Sequence, residues 1–230
     1  GVSGKLADDD LVMYDRETDS EWKQSRGVAI DGPLSGTELT VVPAAMTTVD
    51  RFREANPDGE VLAPPGGESE AASDTDDPAP IDYDAGPYER YFDMDGFGLA
   101  AHRGTGDERD WDRDDEIEPK TVVLGLTIGD DALGFPLPRV EAAGSVVHAT
   151  VGDRDVVVFA TPDGIHAFEN PGVAFERTVE PGTFLADGTR WDGATGEAAD
   201  GRSLDRLPSR RLFAFAWQDD HGPDAFYENE

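Results

Sequence analysis

Short apolar runs separated by tight polar turns dominate the second half of the chain. The runs are rich in β-branched residues, as β-strands are, and Gly-Asp or Pro-Asp-Gly turns lie between them. Close spacing with such turns favours antiparallel pairing. The predicted strands are 122–128, 132–135, 146–151, 156–161 and 165–168, with further strands at 173–179 and 212–217.

The first part of the chain shows a weaker pattern of the same kind. Strands are predicted at 11–14, around Trp22, at 27–30 and at 37–42. One short helix is predicted over 47–55, with Thr47 or Thr48 as its N-cap and Asn56-Pro57 as its end. The expected fold class is therefore mostly β, with few short helices.

The middle of the chain has a different composition. Residues 63–80 are rich in Pro, Gly, Ser and acidic residues and have little to bury, which predicts a solvated linker. Residues 83–115 mix aromatic with charged residues without a clear period, so irregular structure is expected there. We therefore divide the chain into a first β unit at 1–62, an acidic linker and insertion at 63–120, and a second β unit at 121–230.

An internal repeat relates the two β units. A tryptophan is followed at the same spacings by a glycine, an alanine and an Asp-Gly pair in both places. The matching positions are Trp22, Gly27, Asp31 and Gly32 in the first unit and Trp191, Gly196, Asp200 and Gly201 in the second. The pattern predicts two related antiparallel β-rich units that arose by internal duplication. Since few residues precede Trp22, we expect the first unit to hold only its C-terminal part.

The charge balance indicates the environment of the chain and excludes some classes of partner. The chain has 50 acidic and 19 basic residues, and its formal net charge is −31. Such a charge repels nucleic acid and anionic lipid. Acidity spread over aromatic- and valine-containing sequence is typical of extreme halophiles, and at about 1 M salt the Debye length of roughly 3 Å screens the repulsion. We therefore expect no nucleic-acid partner and a fold that needs salt.

Several kinds of site are not expected. The chain has no cysteine, so it offers no disulfide, thiol nucleophile or thiolate metal ligand. No run approaches the ~20 apolar residues of a membrane span, so direct membrane insertion is not predicted. The four histidines are scattered, and the clustered aspartates do not follow a calcium-loop pattern. No metal and no cofactor are predicted. The start at Gly1 is neither an initiator methionine nor a signal peptide, so the chain is expected to begin inside a larger protein.

The stretch 10–24, which reads Asp-Leu-Val-Met-Tyr-Asp-Arg-Glu-Thr-Asp-Ser-Glu-Trp-Lys-Gln, carries a family resemblance. Together with Gly-Pro-Leu-x-Gly at 32–36 and the closing Phe-Ala-Phe-Ala-Trp, it resembles the family named domain of unknown function 3179 (DUF3179). The resemblance implies an exported or membrane-anchored protein and carries no assigned activity. It also implies a Cys-x-x-Cys-type segment in the leading half of the first unit, and this chain lacks that segment.

The polar residues around Trp22 are the candidate site. Arg16 could hold a carboxylate or phosphate, and Asp15 or Glu17 could act as acid or base. The candidate binding residues are Asp15, Arg16, Glu17, Ser20, Trp22 and Gln24. The alternative is a turn in which aspartate and serine side chains cap backbone groups.

Three functions stay open from the sequence. The favoured one is an exported or cell-surface β module with a binding or structural role at high salt. The second is the scaffold part of a redox or metal-handling protein whose cysteine-containing segment is missing, which predicts an exposed apolar face or an open sheet edge. The third is a carboxylate-based hydrolase near Asp15 and Glu17, which predicts two carboxylates about 5 to 9.5 Å apart in a cleft.

Overall fold

A computed structural model gives the fold of the chain. It describes residues 1–62, 67–69, 77–82, 89–98, 101, 109–113 and 115–229. Strands account for 37% and helices for 14% of the chain, which confirms the mostly β fold class. The chain divides into two compact units, one formed by Gly1–Thr47 with Arg109–Glu230 and the other by Thr48–Glu108. The predicted boundaries at residues 62 and 120 divide the chain into its two repeat-bearing β units and not into compact units, and they stay a prediction.

The larger unit consists of four antiparallel sheets. Its first sheet has four strands in the order β1-β2-β3-β4, and the others have the orders β15-β7-β8, β11-β10-β9 and β12-β13-β14. The strands of the first sheet are β1 (Val2–Ala7), β2 (Asp10–Tyr14), β3 (Glu21–Lys23) and β4 (Val28–Asp31). The others are β7 (Val122–Ile128), β8 (Asp131–Pro136), β9 (Val146–Val151), β10 (Arg154–Thr161), β11 (Gly164–Glu169), β12 (Glu176–Arg177), β13 (Thr183–Ala186), β14 (Thr189–Asp192) and β15 (Arg210–Phe213).

Two of the described helices belong to the larger unit. They are α3 (Leu137–Ala142) and α4 (Ala214–His221). The smaller unit contains α1 (Val49–Ala55), α2 (Glu89–Asp93) and the short hairpin of β5 (Glu68–Ser69) and β6 (Ala79–Pro80). The hydroxyl of Thr48 accepts a hydrogen bond from the backbone N–H of Arg51, and α1 ends at its C-cap Asn56. The predicted first helix and its cap are therefore confirmed.

The continuous apolar run of β10 has a simple cause. Its side chains alternate between two cores: Val156 and Val158 belong to one, while Val157 and Phe159 belong to the other. All four are fully buried. The strand is therefore covered on both faces, which accounts for an unbroken apolar sequence in place of an alternating one.

The predicted strand at 212–217 is wrong in its second half. Strand β15 ends at Phe213, and α4 begins at Ala214. The indole of Trp217 on this helix occupies the space above Gly125 and Gly134. A Cβ atom added at Gly125 would lie 2.1 Å from the indole, and one added at Gly134 would lie 2.4 Å from it. The two glycines on neighbouring strands thus make room for the helix to pack on the sheet.

Other local predictions also need correction. Residues 37–42 form only a single bridge at Glu38, and 173–179 contain only the two-residue strand β12. Strands β1 and β13 and helix α3 were not predicted. The linker at 63–80 and the irregular stretch at 83–115 fall partly outside the described residues. In the described part of the second stretch, 89–93 is helical, and Tyr91 and Phe97 are buried.

The two repeat motifs share their hairpin geometry. In each, the tryptophan pairs across the hairpin with the repeat's alanine, Ala29 for Trp22 and Ala198 for Trp191. The glycine inside the turn has positive φ in both, 65° at Gly27 and 78° at Gly196. Its N–H donates to the carbonyl of the residue after the tryptophan, at 2.9 Å in the first motif and 2.8 Å in the second. A common origin by duplication is not established by this likeness and stays a prediction.

Candidate functional site

Asp15 organises the turn between β2 and β3. Its carboxylate accepts hydrogen bonds from the backbone N–H of Thr18 at 2.6 Å and from the indole N–H of Trp22 at 3.0 Å. These bonds, the backbone one first, lower the pKa of Asp15 to about 2. Ser20 is fully buried, and its hydroxyl accepts from the backbone N–H of Leu34 at 3.1 Å. Asp15 and Ser20 therefore have structural partners, as the capped-turn alternative expects.

The remaining candidate residues are not gathered around Asp15. Arg16, Glu17 and Gln24 are exposed, and Trp22 is half-buried. Gln24 alone lines the cleft described below. A binding role for the six residues as a group stays a prediction.

Lys23 joins the first sheet to the C-terminal helix. It is only 7% exposed, and its Nζ donates to Asp220 on α4 at 2.8 Å and to Asp8 at 3.0 Å. Burial lowers the pKa of Lys23, but the hydrogen bonds to the two aspartates outweigh burial and leave the pKa raised. Ser25 donates to the other oxygen of Asp220 at 3.0 Å. This network fixes the β3–β4 turn against α4.

An open cleft of about 280 Å³ lies beside this network. Three segments line it: the β3–β4 turn, the chain after Thr37 and strand β15. The lining residues are Gln24, Ser25, Arg26, Gly27, Leu39, Thr40, Val41, Arg210, Arg211 and Leu212. Three of them are arginines, and none carries a carboxylate.

The arginines of the cleft are incompletely neutralised. Arg210 donates to the carbonyl of Arg26 at 3.0 Å and has the Glu38 carboxylate at 3.8 Å. Within the described part of the chain, neither Arg26 nor Arg211 has a carboxylate oxygen within 4.0 Å. In a chain with 50 acidic residues, two such arginines in one concave site are a local concentration of positive side chains.

His221 on α4 is also affected by the arginines of the cleft. Burial is the main cause that lowers the pKa of His221; the charge of Asp220, the next largest cause, raises it, and the charges of Arg26 and Arg210 lower it. The ring of His221 lies against Trp217, with centroids 4.0 Å apart. A lowered pKa favours the neutral form of this histidine.

The corresponding turn in the second motif is packed differently. Thr195 stands at the position of Arg26, and Arg206 donates to the carbonyl of Ala194 while its guanidinium lies 4.5 Å from the ring centroid of Phe168. The N–H of Leu39 donates to the carbonyl of Gly27, and the N–H of Leu204 donates to the carbonyl of Gly196, each at 2.9 Å, so the two leucines correspond. Leu204 is 8% exposed, whereas Leu39 is 54% exposed. The open, arginine-lined form of this turn belongs to the first motif.

The first sheet also exposes apolar side chains. Met13 pairs across the strands with Trp22 and is 38% exposed, whereas Phe184 holds that place beside Trp191 and is 1% exposed. Among the described residues, no group of three or more histidine, aspartate or glutamate side chains could hold a metal ion. His102 lies outside the described residues.

The fold and cleft define a mostly β protein with two similar hairpin motifs, one of which borders an arginine-lined cleft. The family model described as a protein of unknown function (DUF3179) matches residues 1–228, and the chain belongs to that family. No curated protein and no solved structure matches the chain.

The described helices are short relative to the ~20 residues of a membrane span. In the described ranges, each helix is too short or too polar to cross a bilayer.

Sequence reasoning missed the arginines of the cleft. Arg26 lies in the first motif, and Arg210 and Arg211 lie far along the chain, so no spacing rule connects them. Two signals were present: an adjacent arginine pair in a strongly acidic chain, and an arginine where the second motif has Thr195.

Proposed function

We propose that the chain is a binding module that holds a small anion in the cleft between the β3–β4 turn and β15. The single observation that supports the proposal is the pair Arg26 and Arg211, which share a concave site without a carboxylate partner among the described residues. Guanidinium groups are the preferred partners of carboxylates and phosphates. A location outside the cytoplasm and adaptation to high salt belong to the proposal, and they rest on the family resemblance and on the composition.

The supporting residues hold the cleft in shape before a ligand arrives. Lys23 and Ser25 fix the turn to Asp220, and Arg210 fixes the same turn through the carbonyl of Arg26. A preformed cationic cleft binds with less ordering cost than a mobile one. The geometry therefore supports binding more directly than catalysis, since the cleft lining offers no carboxylate acid or base.

The test is calorimetric titration with inorganic phosphate, in enough KCl to keep the chain folded. The double variant R26Q/R211Q is expected to bind phosphate at least about tenfold more weakly than the unchanged protein, equivalent to about 1.4 kcal/mol. Arg177 is exposed on β12, outside the cleft, so Arg177→Gln is the matched control. Equal affinities of the double variant and the control would contradict the proposal.

The scaffold hypothesis is the second candidate, because it predicts an exposed apolar face and the first sheet has two partly exposed apolar side chains, Met13 and Leu6. Each is 38% exposed on the first sheet. Thiol labelling and metal analysis of the product from its native cells test it. A product without cysteine and without metal would argue against it.

A further inference from the structure

The cleft is larger than an inorganic anion requires. Its volume of about 280 Å³ lies near the lower end of the roughly 300–1,000 Å³ typical of pockets for small organic ligands. A chloride or a phosphate fills only part of such a space. An inorganic ion at the arginines would leave most of the cleft to solvent.

Part of the cleft lining is apolar. It consists of Leu39, Val41 and Leu212, which share the lining with the arginines, and Leu212 follows Arg211 directly on β15. Leu39 is 54% exposed, although its repeat counterpart Leu204 is 8% exposed and belongs to a core. An exposed leucine beside cationic groups suits a ligand with an apolar body and a charged head.

We propose that the ligand is a small organic anion. Its carboxylate or phosphate head group is bound by Arg26 and Arg211, and its aliphatic or aromatic body packs against Leu39, Val41 and Leu212. The inference rests on the proposed function, because it requires that the arginines bind an anion at all. It adds that the apolar part of the lining, formed by Leu39, Val41 and Leu212, selects organic anions over inorganic ones.

The backbone hydrogen bond of Leu39 allows a variant that changes the side chain and keeps the hairpin. Its N–H donates to the carbonyl of Gly27 at 2.9 Å, and this bond does not depend on the side chain. Leu39→Asn therefore removes apolar surface and leaves the hairpin bond in place. Leu185 on β13 is 43% exposed, so Leu185→Asn is a control with the same chemical change outside the cleft.

The experiment titrates the full chain with acetate, hexanoate, inorganic phosphate and butyl phosphate. Hexanoate is expected to bind about tenfold more tightly than acetate, and butyl phosphate more tightly than inorganic phosphate, because the added methylenes are removed from water. Leu39→Asn is expected to reduce this gain, and Leu185→Asn to keep it. If acetate and hexanoate bind more tightly than the two phosphates, the head group is a carboxylate. If the two phosphates bind more tightly, it is a phosphate.

The outcomes separate the two proposals. If inorganic phosphate binds and chain length has no effect, the organic-anion inference is wrong and the proposed function stands. If none of the four probes binds, both are wrong. A chain-length gain that Leu39→Asn leaves unchanged also overturns the inference, since the body of the ligand then packs elsewhere.

Discussion

Lys23 is buried because its charge has two carboxylate partners. Asp220, whose side chain is 3% exposed, lies 2.8 Å from the ammonium, and Asp8 lies at 3.0 Å. A buried charge that loses its partner is strongly destabilising. The pair therefore matters more for the position of the β3–β4 turn than an ion pair on the surface.

Removing the lysine tests this difference. Lys23→Met is expected to lower the free energy of unfolding by about 3 kcal/mol, because the buried Asp220 loses its cationic partner. Lys5 pairs with Glu21 at 2.6 Å but is 63% exposed, so Lys5→Met is expected to cost much less stability than Lys23→Met. Urea unfolding at constant KCl measures both. Equal losses would show that burial of the Lys23 pair is energetically unimportant.

Asp15 gives the turn before Trp22 a defined pH dependence. Its folded pKa of about 2 lies below the ordinary 3.8, so its contribution to stability is present above pH 3.8 and is lost as the pH falls through about 2. Asp15→Asn is expected to lower stability at pH 6, and the difference from the unchanged protein is expected to shrink toward pH 2.

Urea midpoints between pH 6 and pH 2 check the Asp15 prediction. Asp130 is exposed, so Asp130→Asn is the isosteric control and is expected to change little. A difference between Asp15→Asn and the unchanged protein that stays constant over this range would contradict the assigned hydrogen bonds.

At the scale of elements, the two hairpin motifs have similar backbone geometry but differ in the side chains packed around them. A Cβ added at Gly196 would lie 2.5 Å from the ring of Phe168, whereas one added at Gly27 would lie 3.5 Å from Leu39. Both glycines have positive φ, so both substitutions carry a similar backbone cost.

The matched pair Gly27→Ala and Gly196→Ala separates these two effects. Gly196→Ala is expected to be more destabilising by about 1–3 kcal/mol, because overpacking adds to the backbone cost. Chemical denaturation of both variants measures the difference. A larger loss for Gly27→Ala would show that the first turn is the more tightly packed of the two.

The sequence predicted elements well where local signals agree. The valine-rich strands with tight turns and the Thr48-capped helix α1 formed as expected. The helix at Ala214 was missed because alternating apolar residues resemble a strand, and only Gly125 and Gly134 on distant strands allow Trp217 to pack as a helical residue.

The candidate site was harder to predict than the fold. The Asp15 motif is conspicuous in the sequence, yet its polar groups bond one another. The cleft depends on tertiary structure that places Arg26 and Arg211 in one lining, which no local pattern encodes.

At the scale of the whole molecule, the net charge of −31 opposes folding in dilute buffer. Screening by salt relieves this repulsion. The urea midpoint is therefore expected to rise steeply between about 0.1 M and about 2 M KCl, where the Debye length falls from roughly 10 Å to below roughly 3 Å. Sucrose at matched osmolality, which does not screen charge, is expected to raise it less. A midpoint independent of KCl would contradict salt-dependent folding.

The same charge makes the cleft unusual. An anion approaching this protein meets repulsion over most of the surface, and a cationic cleft is a place where it can bind. Anion binding at Arg26 and Arg211 is the central claim of this account.

The most direct measurement is nuclear magnetic resonance of the arginine Nε–Hε groups during titration with inorganic phosphate. The account predicts saturable shifts for Arg26 and Arg211 and none for the exposed Arg177. Absent shifts, or equal and non-saturating shifts at all three arginines, would contradict a specific anion site in the cleft.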